Sequence, residues 1–142
     1  MVDSAHPALA ARLAGVDKQG LITGQGKRVG RGEETWLGAL FESLVTQSVR
    51  VYAQAMHSQV GHLRTRGGEH EIDLIVENRD HSVAAIEVKL KAEVGAGDVK
   101  HLNWLEDQIG DRVRDKIIIT TGEHAYRRAG GVAVVPLALL GP

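Results

Sequence analysis

The longest helical pattern in the chain runs from Glu33 to about Met56. Its apolar residues recur at intervals of three and four, which is the spacing of one face of an α-helix. They are Leu37, Leu40, Phe41, Leu44, Val45, Val49 and Tyr52. Glu33 and Glu34 fall in the first turn, where negative charge suits the positive end of the helix dipole. The pattern therefore predicts an amphipathic helix with one buried side.

Three segments after this helix have the composition and alternation of half-buried strands. They are residues 60–66, 71–77 and 83–90, with turn-forming residues between them at Gly67-Gly68 and at positions 78–80. Short strands that follow each other through tight turns pair with their neighbours. The sequence therefore predicts a meander of three strands.

The second half of the chain predicts one more helix and two more strands. Asp98 is predicted to cap a helix that carries apolar residues at helical spacing and ends at Gly110. These apolar residues are Val99, Leu102, Leu105 and Ile109. The β-branched run 117–119 predicts a buried strand, and residues 132–135 predict another. The order helix, three strands, helix, strand predicts an α/β fold with helices beside a sheet.

The first 32 residues predict two accessory segments rather than part of the core. Ser4 to Gly15 has the cap, the early proline and the leucine spacing of a short docking helix. Gly24 to Gly32 is rich in glycine and cations and predicts a mobile loop. Lys27 lacks the surrounding frame of a phosphate-binding Walker loop, so nucleotide binding is excluded. We expect a division into residues 1–32 and a folded domain at 33–142.

Composition narrows the class of protein. The chain has 142 residues, no cysteine and a formal net charge of −1. It has no secretory signal pattern and no apolar stretch near the ~18 residues of a membrane span, which predicts a cytoplasmic protein with no membrane partner. The charge argues against a protein that wraps nucleic acid along a wholly basic surface. A local basic face that contacts DNA through Arg64, Arg66 and Lys91 stays possible beside the plainer interpretation of solvated charge.

The strongest candidates for functional residues are Asp73 and the tripeptide Glu87-Val88-Lys89. Side chains two apart on a strand share a face, so Glu87 and Lys89 project together. Alternation alone equally suits an ordinary strand with one wet face. Asp73, however, interrupts the apolar run 72–76, where an unpaired carboxylate would be costly.

These groups predict a site for a hard divalent ion, Mg²⁺ or Mn²⁺. Asp73 and Glu87 are predicted to hold the ion, with the Val88 carbonyl as a further oxygen ligand. Lys89 is predicted to orient the attacking water or to stabilise charge on a phosphate. Glu42, on the long helix, is predicted either to complete the site or to be an ordinary exposed residue.

The series Glu42, Asp73, Glu87-x-Lys89, on helix, strand and strand, resembles the PD-(D/E)XK nuclease superfamily. That resemblance implies a restriction-endonuclease-like mixed sheet with an αβββαβ core and a magnesium-dependent DNA endonuclease activity. Ile72 stands where the superfamily pattern has proline. The superfamily also includes members that keep the fold without cleaving.

A second resemblance covers nearly the whole chain. The segments 7–13, 40–45, 64–68, 71–77 and 85–89 are similar to the C-terminal domain of unknown function of predicted prokaryotic AAA-type ATPases. In such proteins an ATPase domain normally precedes this one, so the resemblance implies an ATPase partner in cis or in trans and an excised or naturally separated domain. It leaves open three functions: a nuclease, a non-catalytic DNA-binding or regulatory module, and a homo-oligomerisation domain.

Overall fold

The computed structural model describes residues 36–140. Their elements, in chain order, are α1 (Trp36–Ala55), β1 (Gln59–Arg64), β2 (Glu71–Glu77), β3 (Val83–Val88), a 3₁₀ turn (Ala96–Val99), α2 (Lys100–Ile109), a 3₁₀ turn (Gly110–Arg112), β4 (Val113–Thr120), β5 (Tyr126–Arg127), β6 (Ala133–Pro136) and a 3₁₀ turn (Leu137–Leu140). The predicted order of helix, three strands, helix and strand is confirmed.

The predicted docking helix and glycine-rich loop lie outside the described residues, and the boundary at residue 32 stays a prediction. By its contacts the chain divides after Gln47, inside α1, into two compact units, which are described separately. Within residues 36–140 no helix combines the length and the apolar character that crossing a bilayer requires.

The strands form one mixed six-stranded sheet in the order β1-β2-β3-β4-β6-β5. β1, β2 and β3 are the predicted antiparallel meander. β4 runs parallel to β3 and to β6, and the short β5 pairs antiparallel with β6. A parallel neighbour needs a crossover connection, and the segment that contains α2 provides it between β3 and β4. This confirms the α/β class.

The core of the unit after Gln47 is an apolar cluster contributed by the sheet and by α2. Its buried members are Ile72, Val83, Ala85, Val94, Leu102, Leu105, Ile118, Val132 and Val134. Leu102 and Leu105 lie three apart on α2, as the sequence pattern predicts. Full burial of an aliphatic side chain of this kind contributes about 1.5–3 kcal/mol relative to an exposed one. The cluster therefore fixes α2 against the sheet.

The buried side of α1 is narrower than the sequence predicts. Its buried residues are Phe41, Val45, Val49 and Ala53, at a constant spacing of four. Leu44 and Tyr52, predicted in the same stripe, are 38% and 42% exposed, because each lies three residues beyond a buried position and so on the flank of that line. The Tyr52 hydroxyl donates a hydrogen bond to the Leu140 carbonyl.

The start of α2 corrects one prediction. Asp98 does not cap this helix, because the position before its first turn is Val99, which offers no side-chain hydrogen bond. Asp98 instead closes the preceding 3₁₀ turn, where its Oδ2 accepts the Gly95 amide at 2.8 Å. The predicted end at Gly110 is confirmed, and this residue has a φ of 57°, a conformation that glycine adopts without strain.

A buried lysine connects α2 to the sheet. Lys116 on β4 is 5% exposed, and its Nζ donates to Asn103 Oδ1 at 3.0 Å and to the Gly130 carbonyl at 3.1 Å. It also forms an ion pair with Glu106. All three donors of this ammonium group therefore have acceptors.

Candidate functional site

The structure brings Asp73, Glu87 and Lys89 together at one end of β2 and β3. Leu74 and Ile86 are paired across these antiparallel strands, and the next step of the same register puts Asp73 opposite Glu87. Side chains opposite each other on neighbouring strands lie on the same face. The two carboxylates consequently face each other across the strands.

Glu87 is buried, with 3% of its surface exposed. Its Oε2 lies 3.3 Å from Lys89 Nζ, whereas its Oε1 has no hydrogen-bond partner within the described part of the chain. The alternative of an ordinary strand with a wet face is therefore wrong at this position. Burial, and then the neighbouring negative charge of Asp73, raise the pKa of Glu87 to about 7, although Lys89 acts in the opposite direction.

One oxygen of the Asp73 carboxylate is hydrogen-bonded to the backbone. Its Oδ2 accepts the amide of Val88 at 2.8 Å. Burial raises the pKa of Asp73 above its usual value, although this hydrogen bond and the charge of Lys89 lower it. In a strand the amide and the carbonyl of one residue point to the same edge, so the Val88 carbonyl lies on the β2 side of β3. Its placement suits the predicted oxygen ligand.

Lys89 lies one residue beyond the end of β3. Its backbone amide donates to the Ile119 carbonyl at 2.9 Å and so extends the pairing with β4. The Lys89 side chain is partly exposed, with 31% of its surface accessible to solvent. The backbone of Lys89 is thus held by the sheet while its charge stands at the rim of the site.

Four further residues adjoin this site, and sequence reasoning assigned none of them to it. Glu71 precedes Asp73 by two positions on β2, and its negative charge raises the pKa of both Asp73 and Glu87. His62 Nε2 on β1 lies 3.7 Å from Glu71 Oε1. Side chains two apart on a strand share a face, so the sequence alone could have indicated that Glu71 lies on the same face as Asp73.

The other two of these four residues are His70 and His101. They contact each other, with 3.1 Å between their Nδ1 atoms. His101 also lies within electrostatic range of Lys89 and Glu71. No local pattern in the sequence marks this pair, because only the packing of α2 on the sheet brings them together.

The other residues that the sequence predicts for the site are Glu42 on α1 and the three basic residues Arg64, Arg66 and Lys91. Glu42 is half-buried on α1 in the unit that ends at Gln47, and its part in the site stays a prediction. Arg64 and Arg66 are exposed near the turn between β1 and β2. Lys91 forms an ion pair with Asp98. DNA contact by these three basic residues also stays a prediction.

The donor set around Glu87 suits a hard ion that retains water. Between residues 36 and 140 no group of three or more histidine, cysteine, aspartate or glutamate side chains is arranged to hold a metal. Two carboxylates and a carbonyl oxygen remain, and Mg²⁺ is commonly bound by one or two carboxylates plus water and substrate phosphate. Glu87 Oε1, which has no hydrogen-bond partner in the described part of the chain, is an atom that such an ion would satisfy.

The family described as "Domain of unknown function (DUF4143)" matches residues 37–140. No curated protein and no solved structure matches the chain. The matched residues include β2 and β3, which carry Asp73 and Glu87 of the site, called the acidic site below.

Proposed function

The chain belongs to the DUF4143 family, and we propose that its acidic site makes it a metal-dependent DNA phosphodiesterase or DNA-processing module of the PD-(D/E)XK type. Asp73, Glu87 and the Val88 carbonyl are the proposed ligands of Mg²⁺ or Mn²⁺, with Glu42 as a further candidate. We further propose that the domain works in the cytoplasm together with an AAA-type ATPase domain in cis or in trans.

The observation that carries this proposal is the buried Oε1 of Glu87, which has no hydrogen-bond partner among residues 36–140. A buried carboxylate oxygen without a partner is costly, and the single ammonium of Lys89 contacts only the other oxygen. Burial, and after it the negative charge of neighbouring carboxylates, raises the pKa of both Asp73 and Glu87. A divalent cation would offset that negative charge.

Each residue has a separate task in the proposed reaction. A bound divalent ion polarises a phosphodiester and lowers the pKa of a coordinated water. Glu87 must lose its proton to act as a ligand, so metal affinity is expected to rise as the pH rises through about 7. Asp73 is oriented through the Val88 amide and can offer its other oxygen. Lys89 stabilises negative charge on the phosphate as water attacks phosphorus and the P–O bond to the leaving oxygen breaks.

The test is cleavage of single-stranded, duplex and branched DNA with Mg²⁺ or Mn²⁺. Lys89→Ala should lower the cleavage rate by about 10²–10³-fold, as removal of one charge-stabilising donor does elsewhere. The matched control is Lys100→Ala, because Lys100 is an exposed lysine at the start of α2. Circular dichroism should show both variants folded. Equal inactivity of wild type and Lys89→Ala on every substrate would refute catalysis.

The second candidate is a non-catalytic DNA-binding or regulatory module of the ATPase. It is favoured by the contact between Lys89 and Glu87, which already neutralises part of the site, and by the exposed Arg64 and Arg66. Binding of DNA that weakens with salt, without cleavage, would support it. Calorimetric Mn²⁺ binding that is lost in Asp73→Asn would speak against a site with only a structural role.

A further inference from the structure

The pair His70 and His101 joins the start of β2 to α2 beside the acidic site. Three hydrogen bonds between Thr65 and His70 close the connection before β2. The Thr65 amide and the Thr65 hydroxyl donate to the His70 carbonyl at 2.9 and 3.3 Å, and the His70 amide donates to Thr65 Oγ1 at 3.0 Å. The His70 ring stacks on Trp104 of α2, with centroids 4.1 Å apart and an interplanar angle of 9°. His70 is thereby fixed at both backbone and side chain.

The contact between the two imidazoles depends on how many protons they carry. Their Nδ1 atoms are 3.1 Å apart, and the rings meet edge to face at 84°. A hydrogen bond between two such nitrogens needs one N–H donor and one lone pair. When both nitrogens are protonated no acceptor remains, and two positive rings repel each other.

The surroundings of His101 favour its role as the acceptor. Burial, followed by the charges of His70, Lys100 and Lys89, lowers the pKa of His101, and the charge of Glu71 acts in the opposite direction. These groups face it from the β1–β2 connection, from its own helix, from the end of β3 and from β2. The lowered pKa favours the neutral form of His101, which has the lone pair that an acceptor needs.

We propose that the His70–His101 hydrogen bond is a proton-sensitive connection that positions the Asp73 end of β2 and opens when both imidazoles are protonated. His70 directly precedes β2 and lies three residues before Asp73, so loss of this hydrogen bond removes one of the two ring contacts that hold this end of the strand to α2 and leaves the stacking on Trp104. The connection itself is independent of any metal. Its effect on metal binding rests on the proposed function.

The sign of the pH dependence follows from His101. Because its pKa in the folded protein is lowered, its contribution to stability is complete above the pKa of the unfolded chain. That contribution is lost as the pH falls through the folded value. The connection is therefore closed at neutral pH and opens in acid.

The first experiment measures amide hydrogen exchange of residues 65–70 in the full chain at pH 7.5 and pH 5, corrected for the intrinsic exchange rates. Wild type should lose protection on the order of fivefold at pH 5, the value for one net hydrogen bond. His101→Gln should show no such loss, because its amide oxygen accepts from His70 at either pH. His70→Phe keeps the stacking on Trp104 without Nδ1 and should be poorly protected at both values.

A matched control is His124→Gln, since His124 is exposed in the β4–β5 connection, and it should behave as wild type. Equal acid sensitivity of wild type and His101→Gln would overturn the proposal. So would equal protection of wild type and His70→Phe at pH 7.5. Nuclear magnetic resonance titration of the imidazole carbons should also show that protonation of one ring opposes protonation of the other.

The second experiment measures Mn²⁺ affinity by calorimetry over the same pH values. Protonation of Glu87 weakens binding in every variant, so the relevant quantity is the extra loss in wild type relative to His101→Gln, expected to be severalfold. Equal losses would overturn the positioning of Asp73. Absence of Mn²⁺ binding by every variant would refute the proposed function, while the exchange measurement would still decide the proton-sensitive connection.

Discussion

Two buried ionic groups of this sheet differ in how completely their polar atoms are satisfied. Lys116 gives all three donors to acceptors on α2 and on the turn at Gly130. Glu87 has Lys89 at one oxygen and no partner at the other among residues 36–140. A buried ion with a full set of partners supports structure, whereas one that lacks a partner is poised for a ligand. The contrast distinguishes a structural charge from a candidate functional one.

The largest expected effect comes from replacing Lys116, whose ammonium donors all have acceptors. Lys116→Met removes the donor of the Gly130 carbonyl and the link from β4 to α2 and should lower the free energy of unfolding by about 3 kcal/mol. Chemical denaturation measures this change. The exposed Lys100→Met is the matched control and should stay within about 0.5 kcal/mol of wild type. A loss below about 1 kcal/mol in Lys116→Met would mean that these contacts add little.

The next largest effect is stabilisation of the folded protein by Mn²⁺ bound at Glu87. Mn²⁺ at about 100 times its dissociation constant should raise the free energy of unfolding of wild type by about 2.7 kcal/mol. Glu87→Gln should show no such rise, because a neutral amide is a poor ligand for a hard cation. Thermal melts with and without the ion measure the difference. A similar rise in both proteins would place the ion elsewhere.

A smaller effect of opposite sign is expected for the same variant without metal. At pH 8, Glu87→Gln should raise the free energy of unfolding by about 1–2 kcal/mol, because it removes a buried ionised carboxylate whose pKa is raised to about 7. The loss of the Lys89 contact limits the gain. Denaturation of wild type and variant in a chelating buffer provides the measurement. Destabilisation would show that the carboxylate is already well satisfied.

The last prediction concerns how stability changes with pH. The folded protein holds a proton on Glu87 up to about pH 7, whereas the unfolded chain releases it near 4.5. The folded state therefore binds more protons between these values, and stability should fall as the pH rises from 4.5 to 7. Glu87→Gln should flatten this part of the curve. An unchanged slope in the variant would assign the titration to another group.

The sequence predicted the elements that local pattern determines. The helix from Trp36, the meander and the strand at 117–119 depend on periods of 3.6 and 2, and these periods are readable in one sequence. The strand Tyr126–Arg127 was missed because two exposed residues carry no period. The cap at Asp98 was misplaced because the same residue type favours the 3₁₀ turn that precedes α2.

The candidate site was predictable in part. Asp73, Glu87 and Lys89 were recognised because carboxylates inside apolar strands are unusual. The burial of Glu87 depends on how the chain packs around the sheet, and the contact of His70 with His101 depends on the position of α2. A single sequence without known contacts does not contain that position, so these features required the structure.

The hydrogen bond from the Val88 amide to Asp73 gives the site an internal spectroscopic reporter. This amide lies at the end of β3 and bonds directly to a carboxylate oxygen of the proposed metal ligand. Any charge that Asp73 shares with a ligand reduces what it offers to that N–H, and the amide proton resonance moves with it. Occupancy of the site can therefore be followed at one backbone position of an isotope-labelled protein, without an attached probe and without a substrate.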